Sequence, residues 1–455
     1  MLSLRTTFKD RDSRKLLVNV GGNYLVKGGA LLVSLLIMPA YMRYFSSDSV
    51  LGMWFTLTQL LSWIMLLDFG VGGGLRNKIV KPLAEGDKHK AIALISSAYF
   101  AVTIVVAILL VLSFCIIDKL NWYTILKVAP SEISENTLIK MVQILTVGIC
   151  VRFFSVLVSN ILYALQKATL PGIINLMSNV LILLYLLLAK PTGNESDIIT
   201  LSYVNALANN IPAMLATVWV FAFVLKGMWP RIRSVKRMEI NEVMGIGWAM
   251  FYLQIVIMIL FNVKEIYITW FVNSAAVVEY QVYYKLIGMI GGLYSLALTP
   301  VWSAVTKALV EKKQKWIRDL YKKGVFLIVI FGVIQLLLVA LMPIVVDIWL
   351  KENSIEVSRW YGLIFCVYNI VFMWMMLNYN FACGIGRTKV ISVWLTVSGI
   401  ANLLLTMVIS VFYRSWISVI IATAITTIPC AAFVQIDIFK SIKNMKNSDG
   451  KLTSD

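Results

Sequence analysis

The sequence predicts an all-α membrane protein of about twelve transmembrane helices in two six-helix lobes, with cytoplasmic termini. Three observations predict it. Of 455 residues, 60% are hydrophobic and 14% charged, where a soluble domain carries about 25% charged residues; the mean hydropathy is +0.82. Twelve segments reach the roughly 20 mostly apolar residues that a bilayer crossing needs. The Lys and Arg residues then alternate between loops as the positive-inside rule requires.

The spans fall near 17–40, 51–75, 91–116, 138–166, 169–189, 198–225, 243–272, 276–305, 324–349, 359–383, 389–412 and 416–437. The first follows a charged start (Arg5, Lys9, Arg11, Arg14, Lys15). It is too long for the apolar core of a cleaved signal peptide and is expected to be retained. The seventh and eighth are joined by a very short turn at Asn273 and Ser274. With the N-terminus inside, the tails and even-numbered loops hold 29 of the 41 Lys and Arg residues, and the outside loops and helix ends hold 8. That bias supports an even helix count and accounts for the formal net charge of +18 without nucleic acid. The basic loops 226–237 and 307–323 would lie against anionic headgroups, where each cation contributes about 1 kcal/mol.

Residues 1–226 thus form an N-terminal lobe, 227–239 a cytoplasmic linker, 240–438 a C-terminal lobe and 439–455 a disordered cytoplasmic tail. A weak internal repeat supports the division. Asn160–Lys167 ends the fourth span and Asn380–Arg387 the tenth, 220 residues apart, with Asn on Asn and Lys on Arg. Six helices per half gives parallel repeats, an arrangement common in transporters.

Several chemistries are excluded by what is missing. The five cysteines (Cys115, Cys150, Cys366, Cys383, Cys430) lie in or beside apolar runs without a CxxC pair, so they read as small buried hydrophobes rather than a disulfide or zinc framework. His89 is the only histidine. No GxxxxGK[ST] run occurs, and no loop is long enough for a nucleotide-binding domain. No metal, no cofactor and no enzymatic centre is expected.

Charge within the spans is the most informative feature, because a Lys or Asp at a helix centre costs about 2.5–3.5 kcal/mol on insertion scales. Such residues are Lys27 on the first span, Asp68 on the second, Arg152 on the fourth, Lys264 and Glu265 on the seventh, and Glu279 and Lys285 on the eighth. Helical spacing groups Asn19, Asn23, Lys27 and Ser34 on one face; Gln254, Met258, Asn262 and Glu265 on another; Gln281, Lys285, Gly288, Gly292, Ser295 and Thr299 on a third; and Ser392, Thr396, Gly399 and Thr406 on a fourth. These stripes imply a polar lumen of mildly positive charge, suited to an anionic group such as phosphate. Salt bridges that only fix helix packing are the alternative. The densest motif, from Asp68 to Asn77 with Gly70, Gly72, Gly73 and Gly74, is placed at the C-terminal end of the second span. That end is electronegative and wrong for an anion, so a kink or close helix contact is expected. Pro39, Pro171, Pro212, Pro300, Pro343 and Pro429 mark further kinks or helix ends. The 19 Tyr and 14 Trp read as interfacial belts, with Trp54, Tyr283 and Tyr284 able to stack on sugar rings.

Two blocks carry a family resemblance. Tyr44–Trp54 followed by Leu67–Asn77 resembles the start of the polysaccharide transporter family, the Wzx-type O-antigen flippases of the multidrug/oligosaccharidyl-lipid/polysaccharide exporter superfamily. Glu279–Lys285 and Thr299–Lys307 resemble that family's eighth helix. The resemblance implies a MATE-like fold and a bacterial inner-membrane flippase. It would move an undecaprenyl-pyrophosphate-linked oligosaccharide, an O-antigen or similar repeat unit of lipopolysaccharide biosynthesis, to the periplasmic leaflet by alternating access. Its partners are that substrate and membrane lipid, with a polysaccharide polymerase complex left open. Lys27, Arg152, Lys264, Lys285 and Asn23 are this chain's candidates for the substrate cavity. Coupling to H⁺ or Na⁺ stays open, with Asp68, Glu265 and Glu279 as the acids that could carry it.

The physics agrees: sugar hydroxyls cannot cross about 30 Å of hydrocarbon without replacement hydrogen bonds. A multidrug exporter of cations competes, but it wants acids where the first span offers Asn23 and Lys27. A flippase for a peptidoglycan or exopolysaccharide precursor is harder to separate. A membrane-embedded glycosyltransferase is disfavoured by the short outside loops.

Overall fold

The computed structural model describes residues 11–451 apart from positions 69, 166, 168, 299, 300 and 354. It is helical throughout, with no strand among the described residues. The chain divides into two compact units, residues 1–255 and 256–455.

Unit 1 begins with α1 (Arg11–Tyr44), which carries Pro39. Ser47 caps α2 (Asp48–Ser62) by accepting from the Ser49 amide at 3.2 Å. A 3₁₀ stretch over Trp63–Asp68 and Gly70 at φ +75° then break the expected second span, and α3 (Val71–Glu85) starts anew. This corrects the placing of the glycine cluster. It opens α3, at the electropositive end, because the left-handed Gly70 ends the preceding turn. The expected close contact is present: a Cβ on Gly74 would lie 1.9 Å from the Val243 carbonyl oxygen. Asp87 caps α4 (Lys88–Ile116), accepting from Lys90 N at 2.9 Å. Next come the short α5 (Trp122–Leu126), α6 (Glu135–Ala164), α7 (Thr169–Leu188) and α8 (Glu195–Trp219), which closes in a π turn over Val220–Val224. Helix α1 packs on α7, and α6 on α8. The core joins α3, α4 and α6 through Leu75, Leu94, Phe153 and Ile161.

The basic stretch before α9 (Arg237–Phe261) is fastened to unit 1. Ser96 accepts from Arg231 N at 2.9 Å, and Ser97 accepts from Lys236 N at 3.1 Å. Glu242 then meets Lys78 at 2.9 Å and Lys90 at 3.9 Å. The Lys78 hydrogen bond holds the Glu242 carboxyl below its ordinary range, whereas burial pushes that of Glu239 up.

The division between units falls inside α9, at Ile255 and Val256. Unit 2 continues with α10 (Lys264–Phe271), α11 (Ala276–Tyr283), a π turn over Tyr284–Gly288, α12 (Met289–Leu298) and α13 (Val301–Val310). The long α14 (Gln314–Leu350), α15 (Arg359–Gly384), α16 (Thr388–Phe412) and α17 (Ile417–Lys451) follow. The last helix runs into the stretch expected to be a disordered tail. Helix α17 packs on both α15 and α16, around Leu395, Phe381, Met375 and Val434.

The internal repeat has a structural counterpart. At the end of α6, Leu165 N reaches Ile161 O at 2.9 Å and Lys167 N reaches Leu162 O at 2.9 Å; at the end of α15, Ile385 N reaches Phe381 O at 3.0 Å and Arg387 N reaches Ala382 O at 2.8 Å. Asn160 and Asn380 each donate one turn back, to Val156 O and Met376 O. Every one of these pairs obeys the 220-residue offset.

Among the described residues, nine helices are long and apolar enough to cross a membrane, and the pair Gln254–Phe261 with Lys264–Phe271, bent by 43°, makes a tenth. The other two expected spans are the ones broken by the 3₁₀ stretch and by the second π turn. Leu188 at 79% and Phe412 at 85% exposure typify outward faces that suit hydrocarbon, not water. The chain is a multi-pass membrane protein.

Candidate substrate-binding site

In unit 1 the site is built at a close approach of α6 and α8. Small residues allow that approach: a Cβ on Gly148 would lie 2.7 Å from that of Ala206. Asn210 bonds across to the Gly148 carbonyl at 2.8 Å. One turn along α6, the half-buried Arg152 donates to Asn209 Oδ1 at 2.8 Å. Asn209 is oriented in turn by Asn205, to whose carbonyl it donates at 2.8 Å. The guanidinium therefore rests on neutral amides, with no carboxylate partner among the described residues. Its charge stays available to an anion, because an amide dipole orients a guanidinium without neutralising it.

Lys27 is half-buried on α1, with no described hydrogen bond or ion pair. Nothing described joins it to Arg152. The side chains of Asn23 and Asp68 lie outside the described residues. The sequence reading missed Asn205, Asn209 and Asn210; the i, i+4 spacing of Asn205 and Asn209 inside an apolar span was the available signal.

In unit 2 three expected residues come together at a helix break. The predicted continuous face of Gln254, Met258, Asn262 and Glu265 does not exist, because the helix stops at Phe261 and restarts at Lys264. Lys264, 2% exposed, turns back to donate to the Phe261 carbonyl at 2.5 Å. It thereby satisfies an orphan carbonyl at the negative end of α9. Its ammonium also lies 5.1 Å from the Tyr368 ring and 5.6 Å from that of Phe261. Glu265 occupies the first turn of α10, the positive end, and accepts from Gln281 Nε2 at 3.1 Å. Lys285, in the π turn, is within electrostatic reach of Glu265. That π turn also interrupts the stripe expected to run from Gln281 to Thr299, because its extra residue shifts the register. Glu279 sits apart, half-buried on α11.

Unit 1 thus offers Arg152 on neutral amides, and unit 2 a mixed-charge cluster where the backbone leaves the α-helical path. Broken helices at membrane depth are how transporters place ion and anion sites.

A family model described as polysaccharide biosynthesis protein matches residues 16–303. The chain belongs to that family. No curated protein matches significantly. Among solved structures, an inward-facing multidrug-resistance MATE transporter of the MOP superfamily aligns with a TM-score of 0.72 at 12% identity, over 92% of this chain and 99% of its own. An outward-facing conformation of such a transporter aligns at 0.65 and 13%, over 94% and 96%. A MOP-superfamily transporter from Pyrococcus furiosus, described as having a binding pocket of reverse polarity that suggests a different function, aligns at 0.63 and 15%, over 93% and 96%. The fold is the MATE-like transporter fold. The chain is thus a member of the polysaccharide biosynthesis family that has the fold of these transporters.

Proposed function

We propose that this protein is a flippase of the bacterial inner membrane, carrying an undecaprenyl-pyrophosphate-linked oligosaccharide, an O-antigen or similar repeat unit, from the cytoplasmic to the periplasmic leaflet by alternating access. The observation that carries the reading is Arg152, a guanidinium inside a membrane span that is held by Asn209 and by no described carboxylate. A charge there costs about 2.5–3.5 kcal/mol on insertion scales, and the cost is offset when the charge meets an anion. Lys27 adds a second cation. The asparagines beside Arg152 supply donors and acceptors to replace water around sugar hydroxyls. Glu265, held among Lys264, Gln281 and Lys285, is the acid we assign to coupling with H⁺ or Na⁺.

A multidrug antiporter of organic cations is the competing reading. It sits poorly with Lys27 and Arg152, two cations within the spans of unit 1 that have no carboxylate partner among the described residues. The family to which the chain belongs favours the polysaccharide precursor, and one relative of this fold is described as having a binding pocket of reverse polarity that suggests a different function.

Reconstitution tests the reading. Purified protein in vesicles loaded on the inner leaflet with a fluorescent lipid-linked oligosaccharide should expose the sugar to an external, impermeant glycosidase within minutes. Vesicles with an Arg152→Glu variant should behave like protein-free vesicles. Equal exposure with and without the protein would refute the proposal.

A further inference from the structure

The 220-residue repeat exposes a difference between the halves. In unit 2, Arg387 is neutralised by Asp437 through two hydrogen bonds, at 2.8 and 2.6 Å. At the same offset in unit 1, Lys167 stands for Arg387, but Thr217 stands for Asp437 and Trp219 for Phe439. Lys167 accordingly has no carboxylate partner among the described residues. Its ammonium lies over the Trp219 ring, 5.5 Å from the centroid.

Directly beside this cation is an apolar groove of about 280 Å³, lined among others by Leu162, Ile174, Met177, Pro212, Leu215 and Trp219. It lies between the end of α6, the start of α7 and the second half of α8, within membrane-spanning segments. Leu215, 62% exposed, opens it to the surroundings. A groove so placed meets hydrocarbon, and a cation at its mouth selects an anionic headgroup.

The α8 face decides which amphiphile. Asn205, Asn209, Pro212, Ala216 and Trp219 are spaced i, i+4, i+7, i+11 and i+14, one continuous stripe. Its first half bears the amides that hold Arg152, and its second half lines the groove. From Asn209 to Trp219 is about 15 Å along the helix. A bilayer phospholipid keeps its headgroup at the interface and has nothing polar to place at Arg152. A lipid whose headgroup must travel inward while its chain stays in hydrocarbon uses both halves.

We propose that the groove of α6, α7 and α8 is the loading subsite for the polyisoprenyl chain of the substrate, with Lys167 meeting its phosphate. The inference rests on the flippase reading and adds where the chain and the phosphate first dock. Lys167 supplies a point charge with three donors, enough for a phosphate oxygen. Trp219 holds the ammonium over the groove until the anion arrives.

The test uses the purified full chain and undecaprenyl phosphate as the probe, with binding followed by native mass spectrometry. Two variants are compared: Lys167→Glu, at an exposed side chain, and Ala216→Trp, which fills the groove. Both should weaken undecaprenyl phosphate at least tenfold, and phosphatidylglycerol at equal concentration should not displace the probe. Unchanged binding by both variants would overturn the proposal. So would displacement by phosphatidylglycerol with the same sensitivity to both substitutions, which would assign the groove to ordinary bilayer lipid. Sensitivity to Lys167→Glu alone, matched by competition from inorganic phosphate, would leave an anion contact without a chain site and also overturn it. If the variants bind normally while loss of the gene abolishes surface polymer, the groove assignment falls and the flippase reading stands. If the groove binds the probe while surface polymer survives loss of the gene, the reverse holds.

Discussion

A single hydrogen bond, from Arg152 to the Asn209 amide, separates a site for anions from a structural ion pair. Removing the charge removes the attraction, and reversing it adds repulsion at short range in a poorly screened setting. Arg152→Glu and Lys27→Glu are therefore expected to abolish transport while membrane insertion and expression stay at wild-type levels; complementation of a deletion strain with parallel immunoblots checks this. Asn209→Leu should lower transport less, because it removes the support and leaves the charge. In unit 2, Glu265→Gln keeps an oxygen to accept from Gln281 and discards the charge. If Glu265 couples transport to protons, that variant should still move substrate down its own gradient but lose the response to an imposed pH gradient. The charged positions stood out in the sequence because each is costly in an apolar span. The asparagines did not, since a neutral amide barely shifts a hydropathy average, and only their spacing marked them.

Helix breaks set the next scale. Hydropathy finds a span by averaging about 20 residues, so it passes over the stop at Phe261 and the restart at Lys264. The charges themselves were the clue: Lys264 suits a helix C-terminus and Glu265 an N-terminus, and the two are adjacent in sequence. The glycine cluster was misplaced for the same reason. Its left-handed Gly70 has no composition signature that separates a helix end from a kink. Close packing of α6 on α8 leads to a stability prediction. Gly148→Leu must displace Ala206, whose Cβ is 2.7 Å from the added carbon. It should destabilise the protein by about 1–3 kcal/mol, as overpacking does, read as a lower midpoint of thermal unfolding in detergent.

The fastening of the basic stretch before α9 predicts a pH dependence. Glu242 has a folded pKa below its unfolded value, which is about 4.3. Its contribution is therefore complete above that pH and is lost as pH falls through the folded value. Lys78 and Glu242 are each about a third exposed, so the pair contributes at most about 1 kcal/mol. Lys78→Met should lower the unfolding midpoint at pH 7, by an amount that shrinks as pH falls below about 4.3 and vanishes only below the folded value, where the wild-type carboxyl is protonated in both states.

At the scale of the whole molecule, the all-helical membrane fold followed directly from composition and from the count of apolar segments. The repeat, only eight residues long in sequence, reappears as matched hydrogen bonds at the ends of α6 and α15. What the sequence left hidden was the asymmetry between the copies, because Asp437 and Thr217 acquire meaning only once Arg387 is seen bonded to one of them. Under the proposed function, two related units with different charge arrangements divide the labour, with anion binding in unit 1 and ion coupling in unit 2.

The central claim is transport of a lipid-linked sugar precursor. Its most direct test is to delete the gene in the native host and assay both surface polysaccharide and lipid-linked precursors. The account predicts loss of surface polymer together with accumulation of single undecaprenyl-linked units facing the cytoplasm. Unchanged surface polymer with heightened sensitivity to cationic drugs would contradict it and assign the protein to drug export.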